Sequence, residues 1–282
     1  MTYTNPAEAA ALILYAISNK PALFMFDSDM TLVDWVSPNS LHSADPPQET
    51  KNHLHALHGL KDIIISFNTG RDEAYMRHTY QGAFAGAFAH GQYLRNEFGK
   101  AVNQEFPLPD FSALDQIIAN AISHRSDLKI ESTSVKRVIH FPDTLTDDEA
   151  LDIHTKLTQV IAQANTQTSV PLGLLTGNRI FEIGHEKAGK GEATLTLKKH
   201  YPDHITISAG DTYTDIPMLN HSHIAIMVDD MIPDDVIDKN SPSHVLRLQS
   251  PAHMREVVKI LHAHLSNAPD RQIDEPVLQT GS

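Results

Sequence analysis

Residues 22–31 read Ala22-Leu23-Phe24-Met25-Phe26-Asp27-Ser28-Asp29-Met30-Thr31. Five apolar residues in succession, without alternation, predict a short strand buried on both faces, as in a parallel sheet. Two carboxylates one residue apart then stand at its carboxyl end. They repel each other, and each loses hydration if buried. A divalent cation would compensate that charge. Mg²⁺ suits oxygen ligands and draws a phosphate toward them. The chain has no second Asp-Xaa-Asp. Such triplets also serve as turn or cap pairs in loops, so the strand in front of this one gives it meaning.

The same strand type recurs at both ends of the chain. Ile63–Phe67 leads into Asn68-Thr69-Gly70-Arg71, and Ala85–Ala89 into His90-Gly91. His204–Ser208 precedes Gly210-Asp211, and further strands are expected at 224–228 and 244–248. Helices are expected from Asn5-Pro6 to Ile17 and at 48–58, 72–80, 190–200, 215–220, 233–238 and 252–265, with 34–47 as loop. This alternation predicts an α/β fold: a doubly wound, Rossmann-like parallel sheet. The middle of the chain differs. Helices at 110–123 and 146–163 are each followed by two strands, at 128–132 and 135–141, then 170–175 and 179–183, with Gly177-Asn178 as a hairpin turn. That is an α+β unit inserted into the sheet. The expected division is core at 1–106 and 186–268, insertion at 107–185, with hinges near Pro107-Leu108-Pro109 and Gly184-His185, and a flexible tail at 269–282. Ligands of doubly wound sheets bind beyond the strands' carboxyl ends, where Asp27, Asp29, Thr69, Gly70 and Asp211 all fall.

Charge narrows the partners. Over 282 residues, Lys and Arg total 22 and Asp and Glu 35, a net −13. This argues against nucleic acid or an anionic membrane as the main partner. An anionic small molecule is compatible if a metal and a few cations dominate locally. There is no Cys, hence no disulfide or thiolate chemistry. No basic-then-apolar leader opens the chain, and the expectation is a soluble, cytoplasmic protein.

Four ordered motifs resemble the haloacid dehalogenase superfamily of phosphatases: Asp27-Ser28-Asp29-Met30-Thr31, Thr69-Gly70-Arg71, Lys190-Gly191 and Gly210-Asp211-Thr212-Tyr213-Thr214-Asp215. The insertion between the second and third is similar to that family's larger α+β cap. Ala85-Gly86-Ala87-Phe88-Ala89-His90-Gly91 and Phe181-Glu182-Ile183, shortly before Lys190-Gly191-Glu192-Ala193, resemble the trehalose-phosphate phosphatase group. The resemblance implies that Asp27 attacks phosphorus and that Asp29 protonates the leaving oxygen. Mg²⁺ is then held by Asp27, Asp211 and the Asp29 backbone carbonyl. Thr69 and Gly70 hold phosphate oxygens, Lys190 neutralises the phosphoryl group and restrains Asp27, and Asp215 orients Lys190 or a metal-bound water. Arg71, Glu182, Glu131, Lys136 and His140 are the candidate substrate-binding residues. The substrate is then a small sugar phosphate, with trehalose 6-phosphate the first candidate. Another sugar phosphate, or a catalytically silent sugar- or protein-binding regulator, is the alternative. The oligomeric state is left open.

Four positions depart from the family pattern. Met30 stands where Gly is commonest, Thr212 where a second Asp is usual, Gly184 where a larger residue is common, and Pro142 where Arg is often found. Taken singly, each signal has an ordinary reading. Thr69-Gly70-Arg71 would be a strand-to-helix turn, Asp211 and Asp215 helix caps, and Lys190 a solvated lysine with Lys187 competing for its role. Glu182 is either a substrate ligand or a surface strand residue. Alternation also leaves open which face Glu131, Lys136 and His140 occupy. His53, His55 and His58, and likewise His221 and His223, read as solvated surface rather than metal ligands. Asp229, Asp230, Asp234 and Asp235 read as an exposed acidic loop and helix start.

Overall fold

The computed structural model describes residues 2–34, 45–82, 84–102, 106–122, 125–142, 144–177, 180–238 and 241–271. Strand β1 (Ala22–Phe26) lies at the centre of a seven-stranded sheet, buried at all five positions. On one side it pairs in parallel with β2 (Ile63–Asn68), then β3 (Ala85–Phe88). On the other it pairs in parallel with β9 (Ile205–Gly210), β10 (Ile224–Val228) and β11 (His244–Leu248). The short β4 (Tyr93–Arg95) closes the edge antiparallel to β3. Three residues are too few to show a period, so this strand was not legible in the sequence.

Helices α1 (Pro6–Ala16), α2 (Gln48–His58) and α8 (Pro251–Leu265) share one hydrophobic core with the sheet. Helix α6 (Lys190–His200) packs Ala193 and Leu197 against Leu23 and Met25 of β1. Burying each large apolar side chain stabilises the fold by roughly 1.5–3 kcal/mol. Asn5 caps α1 by accepting from the Ala7 amide, with Pro6 at the first helical position.

A second sheet, of order β5-β6-β8-β7, comes from the middle of the chain and is antiparallel throughout. Its strands are β5 (Lys129–Ser132), β6 (Arg137–His140), β7 (Leu172–Gly177) and β8 (Ile180–His185). Ile139, Phe181, Ile183 and Leu172 pack against helices α4 (Ser112–Ala121) and α5 (Asp147–Asn165). The opposite face carries Glu131, Val138 and Glu182, aligned across three strands, and it turns toward the parallel sheet.

Several expectations change. Gly184 and His185 pair with Gly173 and Leu172 at the end of β8, so the chain leaves the second sheet just after His185. Residues 233–238 form turns, not a helix. The Arg247 guanidinium binds the Asp234 carboxylate and, just before these turns, the carbonyls of Asp229 and Ile232. The tail is not loose from residue 269. Pro269–Arg271 make a 3₁₀ turn, and Arg271 bonds to Ile17, Lys20 and Lys61. Residues 272–282, Asn178 of the expected hairpin turn and most of the 34–47 loop lie outside the described residues. The histidines of α2 are half-buried and bonded rather than solvated. His53 meets His262 (Nδ1···Nδ1 2.9 Å), and His55 meets the Tyr80 carbonyl. Among the described residues no helix is long and apolar enough to cross a membrane.

Candidate active site

The strand order reverses at β1, with β2 on one side and β9 on the other, so a crevice opens at their carboxyl ends. Asp27 follows β1, Asp211 follows β9, and Asp215 ends a one-turn helix, Tyr213–Asp215. Carboxylate oxygens of the three lie within 4.8 Å of one another, and all three residues are buried. Lys190, the first residue of α6, reaches in from the side. Its Nζ is 3.0 Å from Asp27 Oδ1 and 2.6 Å from Asp215 Oδ1. Lys187 is exposed, which removes it as a competitor. Burial opposes the Lys190 charge, but Asp215 and Asp27 outweigh it and hold the amine protonated. Burial also pushes the Asp27 and Asp211 carboxyls up; for Asp27 the Lys190 charge acts against this, while Asp215 adds to it. Three carboxylates around one ammonium leave negative charge in a dry place.

Asp215 is already committed. Oδ1 takes Lys190, and Oδ2 accepts from the amides of Asp211 and Thr212 and the Thr212 hydroxyl. Gly210 makes this possible, because a Cβ there would stand 2.4 Å from the Asp215 side chain. Thr31 donates to Asp211 Oδ1 at 2.9 Å, and Asn68 donates to the Lys190 carbonyl at 2.9 Å and to Thr194. Sequence reasoning gave neither residue a role. Their signal was weak: each is a small polar residue beside a motif.

Asp29 does not join the trio. Its Oδ2 accepts from Arg71 Nε at 2.8 Å, and its Oδ1 is buried without a partner among the described residues. Arg71 also lies over the Tyr75 ring, 5.0 Å from its centroid. Met30 has φ 59°, a left-handed backbone, which is the physical reason a glycine suits that position. Thr69 is buried, and its hydroxyl accepts from the Arg71 amide. Gly70 leaves room for His90: a Cβ would meet His90 Nε2 at 2.6 Å.

The second sheet closes over this end. Lys136 Nζ donates to the Gly70 carbonyl (2.9 Å) and to Glu182 Oε1 (3.0 Å), and His90 Nε2 stands 2.5 Å from Glu182 Oε2. Glu182 is thus a buried residue, not a surface strand residue. Burial pushes its carboxyl up, but His90 and Lys136 outweigh that and hold it below the usual range. His90 was named in the sequence only as part of a motif; that it would face Glu182 was not legible. Glu131 is exposed and pairs with His140 at 3.1 Å, one strand farther out. Burial works against the Arg71 charge, and Asp29 with, more weakly, Glu131 more than restores it.

Solved structures with this arrangement of sheets are known. The chain superimposes on the C-terminal domain of a C. albicans trehalose-6-phosphate phosphatase with TM-score 0.70 and 17% identity, over 93% of this chain and 99% of that one. A Synechocystis sucrose-phosphatase matches at TM-score 0.53 and 17% identity, over 87% and 98%. A phosphatase of the haloalkanoate (HAD) superfamily from Bacteroides thetaiotaomicron matches at TM-score 0.56 and 14% identity, over 88% and 96%. The fold is that of the HAD superfamily phosphatases. At these identities the likeness is one of fold, and the chemistry has to be argued from the side chains. No family model matches the sequence, and no curated protein does.

Proposed function

We propose that the chain is a Mg²⁺-dependent phosphomonoesterase acting on a sugar phosphate, with trehalose 6-phosphate as the first substrate to try. One observation carries this reading. A buried Asp27 stands beside Lys190, Asp211 and Asp215 in the crevice at the switch point of a parallel sheet. Unlike a structural ion-pair network, the trio has more negative charge than its lysine can balance. Hard oxygen donors and excess negative charge fit Mg²⁺. Asp27 and Asp211 would hold it with backbone help from Asp29, since both Asp215 oxygens are engaged. Bound there, the cation would neutralise charge on the phosphoryl oxygens.

The protein groups then divide the work. An Asp27 oxygen attacks phosphorus, forming an acyl phosphate as the bond to the sugar oxygen breaks. Asp29 gives that oxygen its proton, released as the sugar alcohol, and later takes a proton from the hydrolytic water. Arg71 holds Asp29 through Oδ2, leaving Oδ1 for this transfer. Thr69 and the Gly70 amide face the phosphate oxygens, and Lys190 adds positive charge while fixing Asp27. Residues 107–185 serve as the cap that reads the sugar. Glu182, Lys136 and, at the rim, Glu131 and His140 stand on its face toward the crevice. The test is phosphate release from a panel of sugar phosphates and p-nitrophenyl phosphate, with Mg²⁺ and with chelator. Mg²⁺-dependent release that favours one sugar phosphate is the expected result. No release from any ester would leave the sugar- or protein-binding regulator as the better reading.

A further inference from the structure

Strand β3 ends at Phe88, and the next three residues all have left-handed backbones: Ala89 at φ 49°, His90 at φ 54° and Gly91 at φ 90°. Glycine takes that conformation freely, but a Cβ disfavours it, so two such residues in succession before the glycine are costly. Strain of this kind persists only where the surroundings fix it, and it gathers where function needs it. Ala89 and His90 are both buried. Gly91 seats the turn closely: a Cβ there would stand 3.0 Å from the Ala193 side chain of α6, the helix that begins with Lys190.

The amides of the turn show what the strain achieves. The strand register sets Asn68 opposite Ala87, so a continued parallel ladder would give the Thr69 carbonyl to the Ala89 amide. Instead the His90 amide donates to the Thr69 carbonyl at 2.9 Å, and the Ala89 amide reaches the Arg71 carbonyl at 2.8 Å. Lys136 Nζ holds the Gly70 carbonyl between them. Every carbonyl of Thr69-Gly70-Arg71 is thus tied back. The Thr69 amide donates to the Ala87 carbonyl at 3.0 Å, and the Arg71 amide to the Thr69 hydroxyl at 3.2 Å. Of the loop's backbone groups, the Gly70 amide alone has no partner among the described residues. A peptide unit is planar and trans, so its N–H points opposite to its carbonyl. Holding the Thr69 carbonyl on His90 therefore fixes the direction of the Gly70 N–H. The Thr69 hydroxyl, accepting from Arg71, keeps its own proton to donate.

We propose that the left-handed turn at 89–91 positions the phosphate-binding loop. It draws the Thr69 and Arg71 carbonyls away from the anion and aims the Gly70 amide at it. The inference rests on the phosphatase reading and adds Ala89, His90 and Gly91 as positioning residues that act through their backbone. A carbonyl released from the turn would turn its own negative end toward the phosphoryl oxygens.

Inorganic phosphate is the probe, because it engages the loop without the sugar. Ala89→Val puts a β-branched residue where φ is positive, and calorimetry with Mg²⁺ present should show phosphate binding weakened about tenfold, with KM for p-nitrophenyl phosphate raised to match. Ala89→Gly adopts the same backbone freely and should not lose that affinity. Asp62→Val is the matched control: Asp62 has φ 63° but lies at the far end of β1, where its carbonyl accepts from the Ala22 amide. It should lower thermal stability and leave phosphate binding unchanged. A second measurement needs no variant. Coupling is reciprocal, so Mg²⁺ and phosphate should slow amide exchange at Ala89 and His90 in the unaltered chain. Phosphate that binds without slowing that exchange would overturn the assignment alone. So would an Ala89→Val chain that binds phosphate undiminished, or an Asp62→Val chain that is weakened equally. Failure of the unaltered chain to bind phosphate at all would overturn the phosphatase reading as well.

Discussion

Two buried carboxylate clusters, one at the end of the parallel sheet and one on the face of the second sheet, are built to opposite rules. Asp27, Asp211 and Asp215 surround one ammonium, and the charge does not balance. Glu182 sits between Lys136 and His90, and the Lys136 ammonium balances its single charge. The first cluster is incomplete without an added cation. The second needs no added charge and joins the two sheets, since Lys136 and Glu182 come from one and Gly70 and His90 from the other. The first arrangement suits a cation, and the second suits a neutral, hydroxyl-bearing partner beside a contact between the two sheets.

The sharpest way to break this contrast is Asp27→Asn. Turnover should fall by roughly 10⁴-fold or more, because an amide neither attacks phosphorus nor replaces a charged ligand. Thermal stability without Mg²⁺ should hold or rise, since the substitution removes a carboxylate that burial disfavours. Substantial residual turnover in a clean preparation would exclude Asp27 as the nucleophile.

Lys190→Met should do the reverse to stability. It leaves three buried carboxylates without their cation and should cost about 3–5 kcal/mol in urea unfolding. Excess Mg²⁺ should restore part of that loss. Glu182→Gln leaves the Lys136 ammonium of the second cluster facing an uncharged partner, and a loss of about 1–3 kcal/mol is expected. Mg²⁺ should recover none of it. Recovery by Mg²⁺ in both variants, or in neither, would erase the distinction between the clusters.

The two clusters should also answer pH oppositely. Asp27 and Asp211 have carboxyls raised in the fold, so metal-free stability should rise as pH falls from neutrality toward the ordinary carboxylate range. The Glu182 carboxyl is depressed. Its contribution is complete above the unfolded value near 4.5 and is lost as pH falls further. Denaturant midpoints against pH should therefore pass through a maximum, and saturating Mg²⁺ should flatten the neutral limb alone. A curve without that limb would count against strained carboxylates at Asp27 and Asp211.

The smallest expected effect separates backbone from chemistry. Met30→Gly relieves a left-handed residue at φ 59° and should stabilise the chain by about 0.5–1 kcal/mol. Turnover should change less than twofold. Destabilisation would mean that the Met30 side chain contributes more packing than its backbone conformation costs.

Much of this was legible in the chain. The unbroken apolar runs at 22–26, 63–67 and 224–228 specified buried parallel strands, because only a strand covered on both faces tolerates such a run. Each polar residue that ends a strand is then local in sequence, so Asp27, Thr69 and Asp211 could be placed at one end of the sheet before any distance was known. Residues 233–238 form turns instead of the expected helix, and the Asp234 side chain there is bound by Arg247, which lies on another strand. Residues 269–271 likewise depart from the expected tail, through bonds from Arg271 to residues some 250 positions earlier.

What the sequence determined by itself was whatever depends on neighbours along the chain: strand type, the order of motifs, and the end of the sheet where the charged residues gather. Tertiary structure alone decided the pairings across the fold. It chose Lys190 over Lys187, tied Asp29 to Arg71 rather than to the carboxylate trio, and set Glu182 against His90 and Lys136. It also left Gln92 Oε1, His90 Nδ1 and Glu182 Oε2 buried without a hydrogen-bond partner among the described residues. Those outcomes turn on distances of a few ångströms between residues tens of positions apart. Period and propensity carry no information about such distances, because each is set by the packing of the two sheets against one another.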